Sequence, residues 1–176
     1  MKFKIFRFNK VRSTNNTAIR LIENSNTDYG MIIAKNQNNG RGQYGKKWIS
    51  YSGNLFVSFF YELDNLTVSL KQITKINCLL VKKLLSIYYK KKIIFKKPND
   101  LLIDRKKICG ILQEKISKLN KNYLIVGIGI NLIKNPNFKN YPTTNLKELL
   151  NKRISKNKIE KQIKSIFEIK LTELYK

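Results

Sequence analysis

The placement of glycine is the feature that most constrains this chain. Only 8 of its 176 residues are glycine, and six of these fall in three short segments: the window 40–45, position 110, and the pair Gly127 and Gly129 inside a predicted strand. Glycine inside a strand lowers stability unless a ligand or another stretch of backbone must approach closely. The distribution therefore indicates that a ligand or another stretch of backbone lies close to the chain at these segments.

The first of these segments combines glycine with positive charge. It reads GRGQYGKKW from Gly40 to Trp48, holds Arg41, Lys46 and Lys47, and contains no acid. Backbone amides freed by glycine, together with fixed cations, suit a phosphate or acyl-phosphate anion, and a tryptophan can cover a purine. The spacing matches neither a Walker loop nor a dinucleotide fingerprint. A flexible surface loop is the alternative, but the cations and Trp48 favour another nucleotide-handling fold.

The net charge of +25 suggests a nucleic-acid partner, since 36 Lys and Arg stand against 11 Asp and Glu. However, 30 of the cations are Lys, and Asn and Ile reach 21 and 24 residues while Ala falls to 2. Lys, Asn and Ile are residues that A/T-only codons encode, so the charge is equally explained by solvated surface. Both interpretations remain open at this point.

The absence of histidine excludes several classes of site. It removes Ser-His-Asp and Cys-His catalysis and any His-ligated metal. Cys78 and Cys109 lack CxxC spacing, so we expect buried free thiols in a reducing compartment. No apolar stretch approaches the roughly 20 residues of a membrane span, and residues 1–10 alternate like a strand rather than a signal peptide. These features predict a cytoplasmic chain with no membrane partner.

Hydrophobic periodicity predicts an α+β fold in a single domain over residues 1–176. Strands are predicted over 3–8, 29–34, 54–63, 93–97, 101–103, 108–117 and 123–132. Helices are predicted after a cap at Ser13 or Thr14 and over 68–89, 145–151 and 157–175, with a polar loop over 35–53 and an irregular link over 135–144. This order favours a mixed, mainly antiparallel β-sheet with helices packed on one face.

Five blocks of the sequence, in order and spacing, resemble the catalytic domain of biotin protein ligases. They are Ser13-Thr14-Asn15; Gln37 with Gly40-Arg41-Gly42-x-x-Gly45-x-x-Trp48; Lys96-x-Pro98-Asn99-Asp100; Lys107-x-x-Gly110-Ile111-Leu112-x-Glu114; and Gly127-Ile128-Gly129-Ile130-Asn131. The resemblance runs from the first strand to Leu132 and more loosely to the C-terminus. It implies the fold that these ligases share with class II aminoacyl-tRNA synthetases.

The resemblance implies a two-step reaction with ATP and biotin as substrates and Mg²⁺ as the metal. Biotin and ATP give biotinyl-5'-AMP and pyrophosphate, and biotin then passes to one lysine of a biotin carboxyl carrier protein. The implied carrier belongs to acetyl-CoA carboxylase or a related carboxylase. A homodimer is compatible with the resemblance.

The same resemblance assigns roles to residues of the five blocks. Arg41 and Lys107 would neutralise charge during adenylate formation, and Asp100 would hold Mg²⁺ or orient the incoming amine. The implied biotin contacts are Ser13, Thr14, Asn15, Gln37, Arg41, Gly42, Gln43, Lys107 and Gly110. The implied ATP and adenylate contacts are Arg41, Trp48, Lys96, Asn99 and Asn131. Simpler interpretations stay open, with Ser13 and Thr14 as helix caps, Asp100 as a turn residue and each lysine as a solvated side chain.

The chain departs from the family's pattern in its loop and in its length. Gln43 stands where the family usually has Arg, which predicts weaker retention of the adenylate, and Lys97 replaces the Trp that commonly precedes Pro-Asn-Asp. We expect neither the N-terminal helix-turn-helix module nor the small C-terminal β-barrel domain of larger members. Repressor activity is therefore not expected.

Two other functions compete with ligation. A basic nucleic-acid-binding protein would use the charge, but the sequence lacks helix-turn-helix and RNA-recognition signatures and its cations are dispersed. A degenerate ligase would bind biotin without turnover. Lipoate ligases share the fold, but a GRG-x-x-G-x-x-W loop with K-x-PND favours biotin.

Overall fold

The computed structural model describes residues 1–138 and 141–176, and in these residues one β-sheet is flanked by helices. The strands are β1 (Lys4–Val11), β2 (Tyr29–Gln37), β3 (Leu55–Glu62), β4 (Ile93–Lys96), β5 (Asp100–Ile103), β6 (Lys106–Lys118) and β7 (Lys121–Ile130). The helices are α1 (Thr14–Asn24), α2 (Leu70–Tyr88), α3 (Leu146–Leu150) and α4 (Lys156–Leu174), with a 3₁₀ turn over Gln43–Gly45. Residues 139 and 140 of the link predicted over 135–144 lie outside the described residues.

The strand order across the sheet is β1-β2-β3-β7-β6-β5-β4. Strands β1 and β2 are parallel because α1 carries the chain back between them, and every other neighbouring pair is antiparallel. The α+β class with a mixed, mainly antiparallel sheet is therefore confirmed.

The expectation that helices pack on one face of this sheet holds for α2 and α4 but is wrong for α1. Helices α2 and α4 bury the face that carries Val57 and Phe59, whereas α1 packs against Ile32 and Phe60 on the opposite face. All eight residues of β3 are consequently buried, as its apolar residues on both alternating faces predict. The face that α1 covers is called the α1 face below.

Strand β2 continues to Gln37, although the polar stretch from residue 35 predicts a loop. Asn36 and Gln37 pair with Lys10 and Val11 of β1. Strands can pair through their backbones whether or not the side chains are polar, provided that polar side chains reach solvent. A prediction based on side-chain polarity therefore ends this strand too early. The extension brings Gln37 beside the start of α1.

The expectation of two buried free cysteines is confirmed. Cys78 and Cys109 are free and buried. Burial raises the pKa of the Cys78 thiol to about 11 and that of Cys109 well above its usual range, so both stay protonated and unreactive. No helix in residues 1–138 and 141–176 is both long enough and apolar enough to cross a membrane.

Candidate functional site

A row of paired residues crosses the α1 face of the sheet and forms the base of the site. Phe56 of β3 pairs with Gly129 of β7, Gly129 with Gly110 of β6, Gly110 with Asp100 of β5, and Asp100 with Lys96 of β4. Residues directly opposite in antiparallel strands project to the same face. Gly110 and Gly129, called the glycine floor, therefore open a space between a buried aromatic ring and two charged side chains.

Trp48 occupies the space directly above the glycine floor. A β-carbon at Gly129 would lie 2.6 Å from Trp48 Cζ2, and one at Gly110 would lie 2.7 Å from Cζ3. Glycine is therefore needed at both strand positions because an indole packs on the backbone there. The indole Nε1 is buried and has no hydrogen-bond partner among the described residues. Trp48, predicted as a nucleotide contact, thus forms one wall of the site.

Asn15 anchors helix α1 to the sheet beside this floor. Its Oδ1 accepts from Ser58 Oγ at 2.5 Å, and its Nδ2 donates to Glu114 Oε2 at 2.7 Å and to the Leu112 carbonyl at 3.2 Å. Gly127 makes room for it, since a β-carbon there would lie 2.8 Å from Asn15 Cγ. The amide of this predicted biotin contact is therefore engaged within the protein.

Ser13 stands at the N-cap position of α1, but its side chain accepts no capping hydrogen bond. Ser69 shows the contrast, because its Oγ accepts from Gln72 N at 3.3 Å at the start of α2. The capping interpretation of the Ser13 hydroxyl is therefore wrong for this structure. Ser13 is 2 % exposed, so its hydroxyl is buried at the N-terminus of α1.

Thr14 and Gln37, two further predicted ureido contacts, lie against each other. Gln37 Oε1 accepts from Thr14 N at 2.8 Å and from Thr14 Oγ1 at 3.2 Å, and Gln37 Nε2 donates to Ser50 Oγ at 3.1 Å. Residues 13, 14 and 37 are thus brought together where α1 begins and β2 ends. The side chains form a polar end to the site.

The glycine-rich loop is a folded hairpin rather than an extended flap. Gly42 N donates to the Lys46 carbonyl at 2.7 Å, Trp48 N donates to the Gly40 carbonyl at 2.9 Å, and Arg41 pairs with Lys47 as an isolated antiparallel bridge. The loop borders an open cavity of about 510 Å³ against β6, lined by residues 39–47 with Leu112 and Glu114. Gly42 and Gln43, both predicted biotin contacts, lie on its rim.

Arg41 forms an ion pair with Glu114 of β6. Glu114 belongs to one of the five blocks, but the sequence predicts no role for it. In the structure it joins the loop to α1, since its other oxygen accepts from Asn15 Nδ2 at 2.7 Å. Both side chains of the pair are about a third exposed, so solvent screens the attraction, and the pair serves geometry more than stability.

Lys107 and Asp100, predicted as catalytic, form the second ion pair of the site. Lys107 Nζ lies 2.7 Å from Asp100 Oδ1 and 5.5 Å from the Trp48 ring centroid. The side chains are 20 % and 13 % exposed, so this pair is better shielded from water than the first. A lysine and a carboxylate thus flank the glycine floor on the side away from α1.

Both carboxylate oxygens of Asp100, the predicted holder of Mg²⁺, have partners within the protein. One of its oxygens faces the Lys107 ammonium and the other accepts from the Tyr141 hydroxyl. The described part of the chain contains no group of three or more Asp, Glu, His and Cys that could surround a cation. Because Mg²⁺ at a nucleotide takes one or two carboxylates together with the phosphates, the role of Asp100 in holding it stays a prediction.

Tyr141 is a site residue that lies outside every motif of the sequence. Its hydroxyl donates to Asp100, and its ring centroid lies 5.3 Å from the Nζ atoms of both Lys107 and Lys96. Burial, and then the hydrogen bond to Asp100, raises the pKa of Tyr141, so the phenol stays a neutral donor. No sequence signal marks it, because it lies in the irregular link outside all five blocks.

The remaining predicted nucleotide contacts surround the same end of the site. Lys96 is exposed, and the carbonyl of Asn99 accepts from Ile111 N at 2.9 Å. Asn131 is 1 % exposed and donates to the Thr144 carbonyl at 3.1 Å, while its Oδ1 has no partner among the described residues. Thr144 Oγ1 is likewise buried and unpaired in the described part of the chain.

The chain is similar in sequence to known proteins. The model of the biotin/lipoate A/B protein ligase family matches residues 7–131. The bifunctional ligase/repressor BirA of Bacillus subtilis is 32% identical over 127 residues, an alignment that covers 71% of this chain and 39% of that protein. The chain thus spans well under half the length of this curated relative.

Solved structures give the same result for the fold. The biotin protein ligase of Aquifex aeolicus in complex with biotin and ATP superposes with a TM-score of 0.80 at 29% identity, covering 97% of this chain and 71% of that one. The Leishmania major enzyme in complex with biotinyl-5-AMP gives 0.82 at 23% identity, covering 98% and 76%, and at that identity supports the fold alone. Because the family match covers most of the chain and includes every block that meets at the site, the chain belongs to the biotin/lipoate A/B protein ligase family.

Proposed function

We propose that this chain is an ATP-dependent biotin ligase. It joins biotin and ATP into biotinyl-5'-AMP with release of pyrophosphate, and then transfers the biotinyl group to a lysine of a biotin carrier domain. The observation that carries the proposal is the glycine floor under Trp48, with a polar group at one end and the Lys107–Asp100 pair at the other. Support also comes from the Aquifex aeolicus relative, whose structure contains biotin and ATP.

The polar end suits the ureido ring of biotin. A neutral ureido group on an apolar bicycle needs a few donors and acceptors inside a mostly apolar enclosure. The Ser13 hydroxyl is free of the helix cap, and the Thr14 and Gln37 side chains lie beside it. The indole of Trp48, which covers the glycine floor, supplies apolar surface for the bicycle and its tail.

The end of the site that carries Lys107 and Asp100 suits the first chemical step. An oxygen of the biotin carboxylate attacks the α-phosphorus of ATP, and the bond to the bridging oxygen of pyrophosphate breaks. Two anions meet in this step, so fixed positive charges must offset the negative charge that gathers on the phosphoryl oxygens. We assign this role to Lys96 and Lys107 at this end of the site and to Arg41 of the loop. Asp100 pairs with Lys107 and Glu114 pairs with Arg41, so two of the three charges have a defined position before substrate arrives.

The second step transfers the biotinyl group. The neutral ε-amine of a carrier lysine attacks the carbonyl of the mixed anhydride, and AMP leaves. Asp100 is our candidate for orienting that amine, because it is the carboxylate at this end of the site. Mg²⁺ would bind to the phosphates of ATP, with Asp100 as the carboxylate that would help to hold it, and would supply further charge neutralisation. Trp48 and the folded loop exclude water from the adenylate.

The carrier is proposed to be the biotin carboxyl carrier protein of acetyl-CoA carboxylase or a related carboxylase. The proposal is tested by incubating the protein with ATP, Mg²⁺, biotin and such a carrier domain. We expect a mass gain of one biotinyl group on the carrier together with pyrophosphate release. Lipoate offered in competition should not displace biotin; preferential lipoylation would assign the chain to the other branch of its family.

Two other outcomes identify the competing functions. Biotin binding without pyrophosphate release indicates a ligase that has lost turnover. Salt-sensitive binding of RNA or duplex DNA, with no effect of biotin on thermal stability, indicates that the +25 charge serves a nucleic-acid partner.

A further inference from the structure

Tyr141 belongs to none of the motifs that define the site, yet its backbone is held against Lys107. The segment that follows it runs beside β6: Lys107 N donates to the Pro142 carbonyl at 2.9 Å, and Thr144 N donates to the Lys107 carbonyl at 3.0 Å. Lys107 and Thr143 form a parallel bridge there. The position of Tyr141 is therefore coupled to that of Lys107 through the main chain.

The side chain of Tyr141 contacts three charged groups. Its hydroxyl donates to Asp100 Oδ2, while Asp100 Oδ1 lies 2.7 Å from Lys107 Nζ. Its ring centroid lies 5.3 Å from the ammonium of Lys107 and 5.3 Å from that of Lys96. With the Trp48 ring 5.5 Å away on another side, the Lys107 ammonium lies among two aromatic rings and one carboxylate.

This arrangement addresses a physical difficulty of the site. A lysine side chain has many rotamers, and two ammonium groups near one site repel each other. Charge stabilises a transition state most effectively when its position is set in advance, because no reorganisation is then needed during the reaction. An aromatic face attracts each ammonium, and a hydrogen-bonded carboxylate limits the directions that Lys107 can take.

We propose that Tyr141 is a positioning residue for adenylate formation, which holds Lys107 and Lys96 at the place where the phosphates of ATP bind. The hydroxyl acts through Asp100, and the ring acts on the two ammonium groups directly. The inference rests on the proposed function and adds a residue that no block of the sequence contains.

The chain provides a matched control for the test. Tyr123 OH donates to Asp28 Oδ1 at 2.9 Å, and Lys121 Nζ lies 3.2 Å from the same oxygen. This group repeats the chemistry of Tyr141, Asp100 and Lys107 near the opposite end of β7, roughly 23 Å from the Ile130 end at about 3.3 Å per residue. A general effect of removing a tyrosine hydroxyl from an aspartate would appear at both places.

The experiment compares the wild-type chain with Tyr141→Phe, Tyr141→Leu and Tyr123→Phe. Pyrophosphate release gives kcat and separate KM values for ATP and biotin. We expect Tyr141→Leu to lower kcat about tenfold and Tyr141→Phe about threefold, with KM for biotin within about twofold of wild type. Tyr123→Phe should leave all three parameters unchanged. Wild-type kinetics in Tyr141→Leu, or an equal loss in Tyr123→Phe, would overturn the proposal.

A second readout separates this proposal from the proposed function. Trp48 is the sole tryptophan, so its fluorescence reports ATP binding even where no turnover occurs. If the wild-type chain releases no pyrophosphate but binds ATP at least about threefold more tightly than Tyr141→Leu, the ligase function fails and the positioning role stands. Equal ATP affinity in the two chains, or no ATP binding by either, overturns the positioning role. If Tyr141→Leu does not fold, the Tyr141→Phe values decide.

Discussion

Arg41 and Glu114 form an ion pair that fastens the glycine-rich loop to strand β6. The two residues are 73 positions apart in the chain. The same carboxylate accepts from Asn15, so one side chain connects the loop, the sheet and helix α1. The loop is thus positioned by an acid that the sequence pattern assigns to no role.

Glu114→Gln is expected to loosen this loop. The amide keeps the size of the carboxylate but loses the charge that attracts Arg41, so trypsin should cleave after residues 41, 46 and 47 several times faster, and biotin affinity should fall about threefold to tenfold. Limited proteolysis and Trp48 fluorescence measure the two effects. Glu173→Gln, which removes an exposed pair with Lys170 on α4, is the control and should change neither. An unchanged cleavage rate in Glu114→Gln would contradict the fastening role.

Lys107→Ala is expected to reduce adenylate formation about 100-fold or more, because a positioned charge next to the reacting phosphate is lost. Pyrophosphate release measures the effect. The neighbouring Lys106 is exposed and serves as the matched control, since Lys106→Ala removes the same charge from the chain without touching Asp100. Full activity in Lys107→Ala would overturn the assignment of this end of the site.

Gly129→Ala tests the contact between the glycine floor and Trp48. The new β-carbon would lie 2.6 Å from Trp48 Cζ2, so the indole must move, and we expect a loss of about 1–3 kcal/mol in the free energy of unfolding. Chemical denaturation followed by circular dichroism measures it. In the double variant Gly129→Ala with Trp48→Leu, the smaller side chain should make the combined loss smaller than the sum of the single losses. Strict additivity would show that the two residues are not in contact.

Gln43→Arg is expected to slow the release of the adenylate. Gln43 lies on the rim of the loop cavity, where an added guanidinium would interact with the carboxyl and phosphate groups of the bound intermediate. Enzyme loaded with ATP and biotin, then separated from free substrate, gives the release rate. The exposed residue Asn26 provides the control, because Asn26→Arg adds the same charge outside the site. Equal rates of adenylate release from wild type and Gln43→Arg would contradict the prediction.

The stability difference between wild type and Tyr123→Phe is expected to shrink at alkaline pH. Burial, and then the hydrogen bond to Asp28, raises the pKa of Tyr123 to about 12 from the usual value near 10. A raised pKa in the fold means that the contribution is complete below about pH 10 and is lost as the pH rises toward about 12. Urea unfolding of both chains at about pH 8 and about pH 11 measures it; a difference that stays constant would contradict the assignment.

Much of the fold follows from local patterns. The alternation of apolar residues in β3, the helical spacing in α2 and the turn residues of the second half predict the elements and the α+β class, because periodicity depends on neighbours in the chain. Local patterns do not specify which face a helix covers. Helix α1 takes the face opposite α2 and α4, a choice that depends on how the parallel pair β1 and β2 is joined.

For the candidate site too, some features can be predicted from local sequence and others cannot. The five blocks, their order and the family can be predicted from the sequence, since glycine spacing and a basic loop are local patterns. Three contacts become known only from the fold: Glu114 pairs with Arg41, the Asn15 amide is bonded within the protein, and Tyr141 contacts Asp100 across 41 positions. These contacts depend on the register of strands far apart in sequence, because a one-residue slip in register would turn Glu114 or Asp100 to the other face of the sheet.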